Sequence, residues 1–492
     1  MEFARNVTSF AFVSWLPLGM AVILAAGCAS VGPDYAAPRT SVSKDWHATL
    51  QGGLTARETN PEVLAAWWTT LDDAALSRLM ERAAAGNLDL KTAGARVREA
   101  RARRGTAQAG RFPTLDVTGS AVRNRGSEET GSGKTGSLYT VGMDAGWELD
   151  IFGGVRRSVE AAEADLGAMQ EERRDVLVSL LAEAALNYVE VRTFQARRAV
   201  AEANLEAQDE TYRLTVWLFE AGLGDELDVA QARYNLENTR SQIPNLRAGA
   251  EQGMNRIAVL LGEAPGAVHG ELATYLPVPD IPPQVAVGVP ADLLRRRPDV
   301  LRAERDLAAQ TARIGVAAAD LYPKLRLSGS IGLEAFSAGS LVSSGSTFLG
   351  GGPGLTWKIF DAGAVRRNIE VQSALQEQYL IAYEAAVLNA LEEVENAIVA
   401  YAEERRLRES LTETIRAAQR ATDLVREKYR AGLTDFIHVL DAQRSLFSFQ
   451  DQLAQSDGRA ASNLIRLYKA LGGGWTSWGQ EAQDQFACGE EK

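Results

Sequence analysis

The chain has 492 residues, 46% hydrophobic and 24% charged, close to an ordinary globular composition and long enough for two or more domains. A formal net charge of −12 argues against a nucleic-acid partner, and the only sharp basic run, Arg295-Arg296-Arg297, reads as a solvated or packed helix start. Two cysteines, Cys28 and Cys488, and three histidines, His47, His269 and His438, stand without ligand spacing, so neither a metal site nor a thiolate cluster is expected.

An apolar stretch from Phe10 to Ala26 follows a weakly positive start at Arg5 and ends in Leu24-Ala25-Ala26-Gly27-Cys28. This is the pattern of a secretory signal over residues 1–27. A cysteine directly after the small residues reads as a bacterial lipobox, with cleavage before Cys28 and covalent lipid on its thiol. The plainer alternative is an ordinary cleaved signal with Cys28 incidental. No later apolar run reaches the twenty residues that a transmembrane helix needs.

The rest of the chain aligns with itself at one offset of 210 residues: Trp147 with Trp357, Val155-Arg156-Arg157 with Val365-Arg366-Arg367, and Ala221-Gly222-Leu223 with Ala431-Gly432-Leu433. Two copies of one unit are expected, over residues 73–262 and 293–472, joined by a Pro-rich connector at 263–292.

In chain order, the first copy opens with a helix near residues 73–108, about 50 Å long. Two strands follow, at 112–124 and 137–150. Leu115, Val117, Gly119 and Ala121 alternate with Asp116, Thr118 and Ser120, and the second strand alternates from Tyr139 to Leu149. Period two gives one apolar and one polar face. Either a half-buried hairpin or a membrane strand fits this pattern, and Trp147 closes the strand where an interfacial aromatic would sit. A helix at 151–221 is then expected to run roughly 105 Å. Its seam is Leu177, Leu181, Ala184, Tyr188 and Val191, at heptad-like spacing. The turn Ala221-Gly222-Leu223-Gly224-Asp225 stops it, and a helix at 225–262 of about 55 Å returns. Stacked end to end, the two shorter helices match the long one.

The second copy predicts a leading helix, strands at 322–334 and 346–360 (the latter Gly-rich, with Pro353, and closed by Trp357) and a helix at 361–431. A turn at Ala431-Gly432-Leu433-Thr434-Asp435 and a helix at 435–472 complete it. Four strands cannot close a membrane barrel, and an open sheet edge is not tolerated in lipid. If the strands lie in a membrane, the chain must oligomerise, and three copies supply twelve strands.

Several segments together carry a family resemblance: Cys28-Ala29-Ser30-Val31-Gly32-Pro33-Asp34-Tyr35, Leu293-Leu294-Arg295-Arg296-Arg297-Pro298-Asp299-Val300, Ala317-Ala318-Ala319-Asp320-Leu321-Tyr322-Pro323, the turn at 431–435, and Leu440-Asp441-Ala442-Gln443-Arg444-Ser445-Leu446. The chain resembles the TolC-type outer-membrane efflux factors, in particular the NodT-like lipoproteins of RND efflux systems. That resemblance implies a mixed α and β membrane protein: a trimeric twelve-stranded outer-membrane barrel, continued by a long periplasmic α-helical barrel. A small equatorial domain would be built from residues 28–72, the connector and the tail 473–492.

It implies a passive exit duct with no catalytic residue, no cofactor beyond the lipid on Cys28, and no metal. Its partners would be a periplasmic adaptor, an RND-type inner-membrane transporter and outer-membrane lipid. The tip turns 221–225 and 431–435 match the family's adaptor-contacting hairpins. Ile437 and Asp441, one face of a helix at a spacing of four, match its periplasmic gate, with Arg444 near enough for charge compensation. His438 stands where relatives can carry a second carboxylate; facing the lumen, it would gain charge as pH falls through roughly 6.5. A type I secretion duct and a lipid-tethered coiled-coil adaptor are the alternatives. An enzyme finds no support, since no nucleophile elbow or P-loop occurs.

Overall fold

The computed structural model describes residues 30–38, 40, 42–130 and 133–475. Cys28, Ala29 and Cys488 lie outside them. The order of elements is β1 (Leu54–Thr55), α1 (Pro61–Ala65), a 3-10 turn at Trp67–Leu71, α2 (Ala74–Gly86), α3 (Leu88–Ala109), β2 (Thr114–Arg125), β3 (Thr135–Leu149), α4 (Gly154–Glu220), α5 (Glu226–Leu260), α6 (His269–Leu272), β4 (Val285–Ala286), a 3-10 turn at Pro290–Asp292, α7 (Leu293–Arg296), α8 (Pro298–Ala319), β5 (Lys324–Ala335), 3-10 turns at Ala338–Ser340 and Ser344–Ser346, β6 (Thr347–Thr356), α9 (Ala364–Arg430) and α10 (Phe436–Ala470). Most of the described chain is helix, and α4 and α9 each run 67 residues.

Two compact units are formed. One takes the described residues of Met1–Arg39 with Arg96–Met169 and Arg302–Glu384; the other takes Thr40–Ala95, Gln170–Leu301 and Ala385 onward.

The first unit holds one antiparallel sheet in the order β2-β3-β5-β6. Its register carries the alternation across all four strands. Val117 pairs with Met143, Met143 with Ile331 and Ile331 with Leu349, while one step along, Asp116, Asp144, Ser330 and Gly350 form the next row. Directly opposed residues share a face, so one face is an apolar row and the other polar. That apolar row stays exposed: Val117 keeps 72% of its surface and Leu349 80%. β6 ends at Thr356, short of the strand expected to residue 360, so Trp357 lies just beyond it. Gly350, Gly351, Gly352, Pro353 and Gly354 are paired throughout, and the ladder stops because Thr356 meets Lys324, the first residue of β5, behind which Pro323 has no N–H to donate.

At the root of the sheet, Phe152 and Tyr322 stack at 4.7 Å. The N-terminal segment is tied down there. Val31 N–H donates to the Phe152 carbonyl at 3.1 Å, and the buried Arg157 reaches the Val31 and Gly32 carbonyls and the Asp34 carboxylate.

In the second unit, β1 and β4 pair in parallel, joining the segment before α1 to the connector. The heptad seam is its core: Leu181, Tyr188 and Val191 on α4 are fully buried, as are Val394, Ile398 and Tyr401 on α9, each worth about 2 kcal/mol relative to exposure. Tyr188 donates its hydroxyl to Asp73 at 2.6 Å. Pro244 sits inside α5 without ending it, although proline costs one helical hydrogen bond. A side chain at Gly458 of α10 would collide with Thr193 of α4, which fixes how closely these helices cross.

The leading helices differ from expectation. Each is broken by one residue of extended backbone, Asn87 between α2 and α3 and Arg297 between α7 and α8. Pro298 forces the second break, because the residue before proline is excluded from the helical region. Each breaking residue then uses its side chain to bond a helix end. The Asn87 amide donates to the Leu260 carbonyl at 2.8 Å, and the Arg297 guanidinium donates to the Ala470 carbonyl at 3.0 Å, both groups standing 210 residues further on. Of the solvated and packed readings of the basic triplet, Arg297 takes the packed one and Arg295 the solvated one. Arg297 is buried and held by Asp299 and Glu393, both at 2.7 Å.

Candidate functional site

The two tip turns are built alike. After α4, Leu223 N–H donates to the Leu218 carbonyl at 2.8 Å and Gly222 N–H to Phe219 at 2.9 Å; after α9, Leu433 bonds Lys428 at 2.9 Å and Gly432 bonds Tyr429 at 3.0 Å. This double closure needs a left-handed residue, and Gly222 and Gly432 supply it at φ 71° and 68°. Asp225 then caps α5 through Leu227 N–H at 3.2 Å. Asp435 occupies the matching cap position of α10 without a side-chain bond. Ala221, Leu223, Ala431 and Leu433 are exposed, the two leucines by about three quarters of their surface, while Gly224 and Thr434 are partly covered. The exposed leucine side chain at the apex of each turn offers an apolar contact.

Behind the turns, Ala232 of α5 packs with Phe436, Val439 and Leu440 of α10, and Tyr212, Val425 and Tyr429 close around them. The Tyr429 and Phe436 rings meet at 5.3 Å. The Tyr429 hydroxyl faces the Asp228 carboxylate, joining the end of α9 to the start of α5. Burial first, then the charges of Asp225 and Asp435, push the Asp228 carboxyl above its ordinary value, against the hydrogen bond from Tyr429. Burial and the Asp228 charge push the Tyr429 phenol up to about 12. Neither residue stood out in the sequence. The signal was there, since the other copy carries Phe219 and His438 at the matching positions, so only this pair can make the link.

On α10 the predicted gate residues fall on one side. Phe436, Val439, Leu440 and Gln443 are buried, while Ile437, His438, Asp441 and Arg444 are exposed. Arg444 does not pair with Asp441. Its Nε donates to Asn235 Oδ1 at 3.1 Å and its guanidinium lies 5.6 Å from the Tyr234 ring centroid, so its charge is directed at α5. Asp441 thus faces outward without compensation from that arginine.

The two tryptophans make the same bond. Trp147 Nε1 donates to the Arg111 carbonyl and Trp357 Nε1 to the Leu321 carbonyl, both at 3.0 Å. Each indole pins a strand end to the residues that follow the preceding helix. Among the described residues no cluster of His, Cys, Asp or Glu could hold a metal ion, and no helix is long and apolar enough to cross a membrane.

The comparisons with known proteins agree with this geometry. The family described as Outer membrane efflux protein matches residues 79–263 and again 289–473. Nodulation protein T of Rhizobium leguminosarum bv. trifolii is 35% identical over 91% of this chain and 94% of its own length. The antibiotic efflux pump outer membrane protein ArpC of Pseudomonas putida is 31% identical over 96% of this chain and 98% of its own. The solved outer-membrane channel OprN superposes with a TM-score of 0.85 at 37% identity, covering 91% of this chain and 99% of that one. The chain belongs to the outer membrane efflux protein family, and it is an efflux-pump channel component of the outer membrane.

Proposed function

We propose that three copies of this chain close a twelve-stranded barrel in the outer membrane and form the passive exit duct of a tripartite small-molecule pump. The observation that carries this is the four-stranded sheet. Its apolar row, Val117-Met143-Ile331-Leu349, is uncovered, and its outer strands β2 and β6 each pair on one side only among the described residues. Lipid against the apolar row and like strands from neighbouring chains at both edges satisfy both demands. The helical tips receive a periplasmic adaptor on Leu223 and Leu433, and an RND-type inner-membrane transporter supplies the energy. The duct itself has no catalytic group and no cofactor. Its cargo is a small molecule (a drug, a toxic compound or a metal ion), and its range is set by the transporter. Purification of the tagged chain from outer-membrane fractions with a co-purifying adaptor is the expected result; an adaptor lost on replacing both Leu223 and Leu433 by Asp locates the contact.

Covalent lipid on Cys28 belongs to the same proposal. Val31, three residues after Cys28, is tied to Phe152 at the root of the sheet, and three residues reach at most about 10 Å. The intact mass of the mature protein should begin at Cys28 and carry a diacylglycerol and an N-acyl chain; an unmodified Cys28 N-terminus removes the anchor.

The Tyr429–Asp228 link makes the tip a closure point. A hydrogen bond to a charged, partly exposed group contributes about 1 kcal/mol, so Tyr429→Phe should raise the open probability of single channels roughly fivefold. The pH sense follows from the raised Asp228 carboxyl. Stability from its protonation is present below about pH 4, the ordinary carboxylate range, and is lost as pH rises through the raised value, so acid favours burial of Asp228 while weakening the Tyr429 bond, which holds the charged form. An open probability in Tyr429→Phe equal to that of the parent chain would remove the link from the gate.

A further inference from the structure

Within the first unit the helices follow the order of the strands. The Arg104 guanidinium on α3 meets Glu163 on α4 at 3.6 Å, Arg313 on α8 bonds Asp165 on α4 at 2.6 Å, and the Gln310 amide on α8 donates to Gln372 on α9 at 2.8 Å. The row is α3-α4-α8-α9, matching β2-β3-β5-β6, so α3 and α9 are its flanks as β2 and β6 are the edges of the sheet.

The inner seam, α8 against α4, joins the two copies of the repeat and is closely packed. A Cβ on Gly315 of α8 would stand 2.7 Å from Arg157 Cγ, and Tyr322 stacks on Phe152. Arg157 and Ala161 of α4 and Ala312 of α8 are buried. At the 210-residue offset each of these has a counterpart on a flank, and there the cover is missing. On α3, a Cβ on Gly105, the copy of Gly315, would meet open space, and Ala102, the copy of Ala312, is exposed. Phe112, the copy of Tyr322, is exposed just beyond α3. On α9, Arg367, the copy of Arg157, bonds Glu370 at 2.6 Å and leaves 79% of its side chain uncovered. Val371, the copy of Ala161, is 54% exposed, and Ile359 and Phe360 stand bare before the helix. One chain therefore carries the two halves of one contact on opposite flanks, each without its mate.

We infer that a second copy of this chain seats its α3 on α9, repeating between chains the seam that α8 makes on α4 within one. Gly105 of the second copy lies against Arg367, and its Phe112 covers the Ile359-Phe360 pair. Removing these apolar side chains from water drives the contact. It is head-to-tail, α3 of one chain on α9 of the next, so identical copies continue until a ring closes. The inference rests on the duct reading for the number of copies, but the surface is a different one, helical and apart from the strand edges. The repetition is not complete. Arg103 and Leu375 stand where the inner seam has the Arg313–Asp165 ion pair, so the seam between chains lacks that bond.

Two kinds of variant test the seam in the full chain purified from outer membranes. In the inner seam the Cβ positions of Gly315 and Arg157 lie within about 4.2 Å, the range of a disulfide. The double variant Gly105→Cys with Arg367→Cys, oxidised with copper phenanthroline, should therefore run as three linked chains on a denaturing gel and return to one on reduction. Each single variant should run as one chain. Gly105→Phe adds bulk where the single chain has open space and replaces a helical glycine, so it is expected to fold, yet it should lower the three-chain fraction in native mass about tenfold. Ala95→Phe on the same helix, whose counterpart Arg305 stays exposed within the chain, should match the parent. In a parent of three chains, a missing cross-link or an undiminished three-chain fraction in Gly105→Phe would overturn this seam and leave the strand-edge reading standing. A cross-linked species that never conducts would do the reverse, and a parent of single chains would sink both.

Discussion

Replacing Arg297 by methionine is expected to destabilise the folded chain by about 3 kcal/mol, the largest effect of any single substitution considered. The side chain is 9% exposed and makes three kinds of contact: two N–H groups on Asp299 at 3.0 and 2.7 Å, one on Glu393 at 2.7 Å and one on the Ala470 carbonyl at 3.0 Å. Methionine keeps most of the volume, so the loss is electrostatic and not a cavity. It leaves Asp299 and Glu393 facing each other without a cation and strips a helix-end carbonyl of its donor. Glu393 is more than half exposed, and water recovers part of its loss, which keeps the figure below the upper range for buried pairs. Arg297→Lys should fall between, since an ammonium keeps the charge but cannot fork to two carboxylates and a carbonyl. The apparent unfolding midpoint of the purified protein reports both. A methionine variant that unfolds with the parent would mean that the break between α7 and α8 is held by Pro298 and apolar packing alone.

The second large effect is functional. Asp441→Ala should lower the preference of single channels for cations over anions by on the order of tenfold, about 1.4 kcal/mol of Coulomb energy. Asp441 lies on the exposed side of α10, beside Ile437 and His438, while the opposite side packs on the Phe436-Val439-Leu440 cluster. Because Arg444 is spent on Asn235 and Tyr234, no arginine from that turn of the helix cancels the carboxylate. In the proposed three-chain duct, three such carboxylates would face a common water-filled space and attract cations. Unchanged selectivity in Asp441→Ala would place Asp441 on the outer wall.

Much of the fold is legible in the residues themselves, for a physical reason. The alternation from Leu115 to Ala121 and from Tyr139 to Leu149 lies on β2 and β3 because successive side chains of a strand point to opposite faces, and the two faces here differ in polarity. The seam at Leu181, Tyr188 and Val191 is buried because long helices have no other means of packing. Gly222 and Gly432 mark their turns because few other residues tolerate that backbone.

What the residues hide is side-chain contact between distant segments. Nothing near Asn87 or Arg297 announces that each will bond a carbonyl 173 residues away and interrupt a helix to do so. Pro298 was the available cue for the second break. Trp357 looks like a strand residue, but its partner strand β5 begins at Lys324, so the ladder ends at Thr356. Arg444 lies three residues from Asp441 in sequence, but its guanidinium follows the aromatic ring and amide that α5 presents. The Asp228–Tyr429 link needs both hairpins in place before it exists, and it can be read only as a difference between two copies that otherwise agree.

The most direct test joins native mass to conductance. The mature full-length protein, purified from outer membranes in mild detergent, should have the mass of three chains, and that species should insert into planar bilayers with discrete, cation-preferring steps. A stable single chain that conducts equally well, or a three-chain species that never conducts under any adaptor, voltage or pH condition, would contradict the closed twelve-stranded duct.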